Sequence, residues 1–219
     1  MSYQGLKSPS AQPAGRWERA VISWPDDAAL HWTRLLIETA HRDSAVKAVV
    51  ATGSAVRDVE HSDDLDLVVV HRAARPVLSR PPISIDLRCF CQTDIVPKLT
   101  TGHSFLSWAV RFGRPLFERN RWWSQLRADW NARLLLPPAT ESTERAMRAE
   151  HHRDALAEAG DDDAAAEMAL SALTHHARAA LSKAGVFPHS RPELPGQLRQ
   201  IGEHQLAEVV DRALACRYL

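Results

Sequence analysis

The sequence predicts an α+β protein: a small mixed β-sheet with flanking helices, followed by an all-α helical bundle. Three observations lead to that class. Short valine- and isoleucine-rich runs, "AVKAVVAT", "LDLVVV" and "ISIDLRCF", are bounded by turn residues and confined to the first half of the chain. Stretches with apolar residues at helical spacing stand before and after them. From Asn120 onward the long segments all read as amphipathic helices of good helix formers.

Residues 1–15, rich in Ser, Pro, Gly and Gln and without periodicity, are expected to form a disordered tail. "SWPDDAALHWTRLLIETAHRD" opens with Pro25, Asp26 and Asp27, which suit a helix N-terminus. Leu30, Trp32, Leu35, Leu36 and Ala40 then give the helix an apolar stripe of about four turns. "AVKAVVAT" is a buried strand stopped by Gly53, and "LDLVVV" is a second. "ISIDLRCF" alternates, with Ile83, Ile85 and Leu87 on one face and Ser84, Asp86 and Arg88 on the other. "SFLSWAVRFG" reads as a helix closed by Gly113, and "RPLFER" as a short extended segment. Helical segments follow, the first set apart from the rest by Pro137-Pro138. The expected units are therefore the sheet unit over 16–119 and the helical unit over 120–219, with the change of character falling within 118–138.

The chain has 219 residues, of which 45% are hydrophobic, enough for a sizeable core. Its 27 basic and 27 acidic side chains cancel, so no overall field draws it to nucleic acid or to an anionic membrane. No apolar run reaches the roughly 20 residues that span a bilayer, and "MSYQGLKSPSAQPAG" lacks the apolar centre of a signal peptide, so a cytoplasmic location is expected. Cys89, Cys91 and Cys216 are too few for a four-ligand zinc site and read as reduced thiols, the first two on one face of a strand.

The chemistry concentrates in "VVATGSAVRDVEHSDDLDLVVV", residues 49–70. Residues two apart share a strand face, so Asp64 and Asp66 point one way while Leu65, Leu67 and Val69 point the other. Asp86, on the polar face of the next strand, can stand beside them. Three converging carboxylates repel one another unless a divalent cation neutralises them, and hard oxygen ligands favour Mg²⁺. Gly53 and Ser54 end the preceding strand, where glycine lets backbone approach a ligand and exposed N–H groups with a hydroxyl make a phosphate cradle. Arg57 is placed to add a charge-assisted bond to a phosphate oxygen.

This order of strand, Gly-Ser, short helix, Asp-x-Asp, strand and third Asp resembles the nucleotidyltransferase superfamily typified by DNA polymerase β. It is most similar to the minimal nucleotidyltransferases and the antibiotic-modifying adenylyltransferases. The resemblance rests on "GSAVR", "SDDLDLVVV" and "ISIDLR", with "SWAVRFGRPLFE" in support, and covers about residues 27–118. It implies two Mg²⁺ ions on Asp64, Asp66 and Asp86, with Asp86 assisting deprotonation of an acceptor hydroxyl. Gly53 and Ser54 would hold the β- and γ-phosphates of a nucleoside triphosphate, ATP foremost. It implies transfer of a nucleoside monophosphate, AMP foremost, to a small-molecule hydroxyl with release of pyrophosphate. By the same similarity a basic residue at the end of a helix in the C-terminal unit faces the triphosphate; Lys183 and, in the proline-rich turn after it, Arg191 are the residues at that place, and Lys183 is assigned the contact. Two departures stand out: Arg57 is followed by Asp58 where the family often has glycine, and Asp63 adds an acid before the Asp-x-Asp pair. The alternatives are a protein or RNA acceptor, or a non-catalytic antitoxin-like binding module.

Several conspicuous residues also have structural readings. Asp58 and Asp63 suit turn formation, and His61 a surface loop. His151-His152 and His175-His176 are adjacent pairs whose members diverge by about 100 degrees on a helix, which disfavours joint metal ligation. Trp122, Trp123 and Trp130 fit a helix core better than a base-stacking platform. At Lys183 the plain reading is a cation drawn to a helix C-terminus.

Overall fold

The computed structural model describes residues 17–57, 62–72 and 74–217. The expected tail over 1–15, Asp58 and His61 lie outside the described residues. Helix α1 (Asp27–Arg42) is followed by β1 (Val46–Thr52), β2 (Leu65–His71) and β3 (Ile85–Cys91). Next come α2 (Gln92–Thr100), α3 (Ser104–Phe112), β4 (Arg114–Glu118) and α4 (Trp122–Trp130). The remainder is helical: α5 (Ala139–Glu158), α6 (Asp162–Lys183), α7 (Leu194–Gln200) and α8 (His204–Arg217). The α+β class expected from the sequence is what the chain adopts.

The sheet is mixed. Its strand order is β3-β2-β1-β4, with β1 antiparallel to β2 and β4 and β2 parallel to β3. Strand alternation sends Leu65, Leu67 and Val69 to one face, where Trp32, Leu36 and Ile37 of α1 cover them. Asp26 starts that helix by accepting a hydrogen bond from the Ala29 N–H at 2.6 Å. Val68 and Val70 point to the other face, under Ile95 and Leu99 of α2, Leu106 and Val110 of α3, and Trp123 of α4. Two layers of helix therefore bury the sheet on both sides, which is why its central strands read as continuous valine runs.

Two local expectations change, and one helix appears where none was expected. Ile83 precedes β3 and is fully exposed instead of sharing the face of Ile85 and Leu87, because the strand begins only at Ile85. Gln92–Thr100 is helical although it contains Pro97, whose place in the second turn removes one donor from an already short helix. Helix α4, grouped by composition with the helices after it, packs Trp123 and Leu126 on the sheet.

Beyond Pro137-Pro138, α5 and α6 pair as a helical hairpin around Gly160, whose φ of +77° makes the turn. Leu170, Ala177 and Leu181 of α6 join Leu194, Leu198, Val210 and Leu214 in a separate apolar cluster. All three cysteines are free. Among the described residues no helix is long and apolar enough to cross a membrane.

Candidate functional site

The ends of β1, β2 and β3 that come together carry the polar residues. In the β2–β3 register Asp66 stands directly opposite Asp86, and in the β1–β2 register Thr52 stands opposite Asp66. All three share the face of Val68 and Val70, one step past the cover that α2 and α3 provide. The polar ends of three strands thus open into a cleft of about 400 Å³, a volume within the range of small-molecule sites.

One wall of the cleft is acidic, formed by Asp63, Asp64, Asp66 and Asp86 with Thr52, Gly53, Ser54 and Ser62. The opposite wall comes from the helical unit: Arg145 on α5, Glu167, His175 and Arg178 on α6, and Ser190 and Arg191 in the segment before α7. Phe105, Trp108, Phe187 and prolines 137, 188 and 192 supply its apolar surface.

Gly53 is required where it stands. Its φ is +82°, and a Cβ built there would collide with Oδ2 of Asp66. After it, Ser54–Val56 makes a single 3-10 turn whose Ala55 and Val56 are buried. The Ser54 hydroxyl lies 2.8 Å from that of Ser62, and Ser62 gives its proton to the Asp64 carbonyl at 2.7 Å, so Ser54 is the donor in the pair. Ser54 therefore lines the cleft with its proton already committed.

Asp66 is the least exposed carboxylate of the acidic wall. Burial pushes its carboxyl up to about 7, and the neighbouring Asp64 and Asp86 push the same way against Arg88 and Arg178. Asp86 is more exposed and is gripped within its own strand by Arg88, whose Nη2 and Nε donate to Oδ2 at 2.6 and 3.1 Å.

The basic wall is equally strained by its own charge. Burial lowers Arg178 to about 10, and Arg191 and Arg145 add repulsion that Asp66 opposes. Arg145 pairs with Glu141 and Arg191 with Glu167. Among the described residues no hydrogen bond or ion pair holds Arg178. One turn before it, His175 is brought down to about 4 by burial and then by Arg178, Arg145, Arg191 and Arg148, and its buried Nδ1 has no hydrogen-bond partner among the described residues. A neutral histidine and a guanidinium without a hydrogen-bond partner among the described residues thus face the aspartates across the cleft.

The oxygen donors fit Mg²⁺ by chemistry: Asp64, Asp66 and Asp86 line one cleft, and the repulsion among them, which adds to the effect of burial on Asp66, is what a divalent cation relieves. Their present arrangement is not a finished coordination sphere. Among the described residues no three His, Cys, Asp or Glu side chains are grouped to hold a metal, and Asp86 must leave Arg88 to join the others.

No protein-family model matches the chain, and no curated protein matches it. Among solved structures it is similar to a nucleotidyltransferase-like protein from Exiguobacterium sibiricum 255-15. The two are 16% identical, the match covers 85% of this chain and 74% of that one, and the TM-score is 0.35. A likeness that loose carries no argument about chemistry.

Of the residues expected at the site, Gly53, Ser54, Asp64, Asp66 and Asp86 line the cleft and two do not. Arg57 is turned away into an ion pair with Glu193. Lys183 is exposed in the last turn of α6, the plain reading of a lysine at a helix C-terminus. Of the arginines that do face the carboxylates, Arg191 was noted by sequence beside Lys183, whereas Arg145 and Arg178 were not singled out, although Arg178 lies only five positions before Lys183.

Proposed function

We propose that the chain is a Mg²⁺-dependent nucleotidyltransferase that moves a nucleoside monophosphate, AMP foremost, from a nucleoside triphosphate to a hydroxyl of a small molecule. The observation that carries this reading is the register of Asp66 against Asp86 beneath Gly53, in a cleft whose far wall presents Arg178. Acid on one side and guanidinium on the other suit a polyphosphate bound through a cation.

Mg²⁺, held by Asp64, Asp66 and Asp86, would neutralise phosphate charge and favour the ionised acceptor hydroxyl. The remaining work falls to the chain itself. Arg178, with Arg145 and Arg191 beside it, binds and orients the β- and γ-phosphates against the Gly53–Ser54 turn. Asp86 sits at the accessible edge of the acidic wall and takes the acceptor proton once Arg88 has let it go. The acceptor oxygen then bonds to the α-phosphorus as the bond to the bridging oxygen breaks, and pyrophosphate leaves with its charge on the arginine wall.

The test is pyrophosphate release from each of the four triphosphates with Mg²⁺ and fractionated cell extract, using α-labelled nucleotide. Label in small molecules, lost in Asp66→Asn, supports the reading; label in protein or RNA moves the acceptor to those classes. Absence of release with every triphosphate overturns it. One observation favours a second reading, in which the cleft binds nucleotide without turnover as a binding module: Asp86 is held by Arg88 and the carboxylates are not gathered.

A further inference from the structure

Arg57 stands at the end of the turn that begins with Gly53, yet its guanidinium reaches a residue 136 positions further along the chain. Its Nε donates to Oε2 of Glu193 at 3.0 Å and its Nη2 donates to Oε1. The guanidinium also lies over the ring of Phe112, 4.6 Å from the centroid. His189 packs edge-on against that ring and brings Nδ1 to 3.3 Å from Oε1 of Glu193.

Glu193 has a second set of bonds. Its Oε2 accepts from the Ser190 N–H at 3.2 Å and from the Ser190 hydroxyl. Ser190 and the adjacent Arg191 line the cleft. One carboxylate therefore ties the end of the phosphate turn to the segment that carries an arginine of the opposite wall. Exposed ion pairs contribute little, but here only 24% and 25% of the two side chains remains exposed, and the pair is bidentate and stacked.

We propose that Arg57 and Glu193 form a latch that fixes the Ser190–Arg191 segment over the Gly53–Ser54 turn, so that both act as positioning residues for the anionic end of the substrate. This rests on the reading of the cleft as a triphosphate site. It replaces direct phosphate contact by Arg57 with an action exerted through Glu193.

A double-mutant cycle on the full chain tests it, with inorganic tripolyphosphate as probe. Arg57→Gln and Glu193→Gln are each expected to weaken tripolyphosphate binding about tenfold, and the double variant no more than either alone. Arg57→Lys, which keeps charge but loses the fork, is expected to fall between. The KM for triphosphate should rise by more than kcat falls. Hydrogen exchange over residues 187–193 should quicken equally in both single variants while that of the sheet is unchanged. Additive losses, or a Glu193→Gln variant that binds like the native chain, overturn the latch and return Arg57 to direct phosphate contact. If the native chain neither binds the probe nor releases pyrophosphate, the triphosphate reading fails and exchange alone decides: quickening in both variants supports the latch, and no change overturns it.

Discussion

Gly53 leaves open the space that the carboxylate of Asp66 fills. The two residues are on neighbouring strand ends, and the close approach depends on the absent side chain and on a φ of +82°. Gly53→Ala is expected to destabilise the protein by about 1–3 kcal/mol, measured by urea unfolding. The same change in an Asp66→Ala background should cost less, because the clash is gone while the φ strain remains.

Asp66 itself is held at the expense of stability. Its carboxyl, raised by burial and by Asp64 and Asp86, is poorly solvated when ionised. Asp66→Asn is therefore expected to raise the unfolding free energy near neutral pH, on the order of 1 kcal/mol, and to abolish pyrophosphate release. Thermal unfolding checks the first half and pyrophosphate release the second; with Mg²⁺ the native chain should also gain stability and the variant should not.

Arg178, not Lys183, should carry the phosphate. Arg178→Gln is expected to raise the KM for triphosphate by about tenfold or more, and Arg178→Lys to restore little of it. Lys183→Ala, at an exposed position outside the cleft, should behave as the native chain in the same assay.

The Glu193 carboxylate gives the latch a pH dependence. Against the raising effect of burial, hydrogen bonds from Arg57 and Ser190 pull it down to about 2 from an ordinary 4.5. The folded state then holds fewer protons than the unfolded one between those values, so the pair's contribution is complete above about 4.5 and lost as pH falls toward about 2. The difference in melting temperature between the native chain and Glu193→Gln, present at about pH 6, should close across that interval.

Much of the sheet was legible because its signals are local. The valine runs of β1 and β2, the turn glycine at Gly53 and the alternation that puts Asp66 and Asp86 on one face each depend on residues a few positions apart. The basic wall was illegible for the opposite reason. Arg145 and Arg178 look like ordinary polar positions on amphipathic helices, and only tertiary packing of α5 and α6 turns them toward the carboxylates, while Arg191 reaches the cleft from the segment before α7. Arg57 has a motif position that argues for phosphate and a partner 136 residues away that sequence spacing does not reveal. Ile83 shows a smaller failure: alternation identified the strand but not where pairing begins.

The long reach from Arg57 to Glu193 also sets an order of events during synthesis. A ribosome releases the strands that carry the carboxylates well before it has made residue 193, so the acidic half of the cleft exists first as an open, unopposed surface. A chain cut short before residue 145 carries the carboxylates but none of the arginines that face them. The site is complete only when residues made more than a hundred positions apart have met.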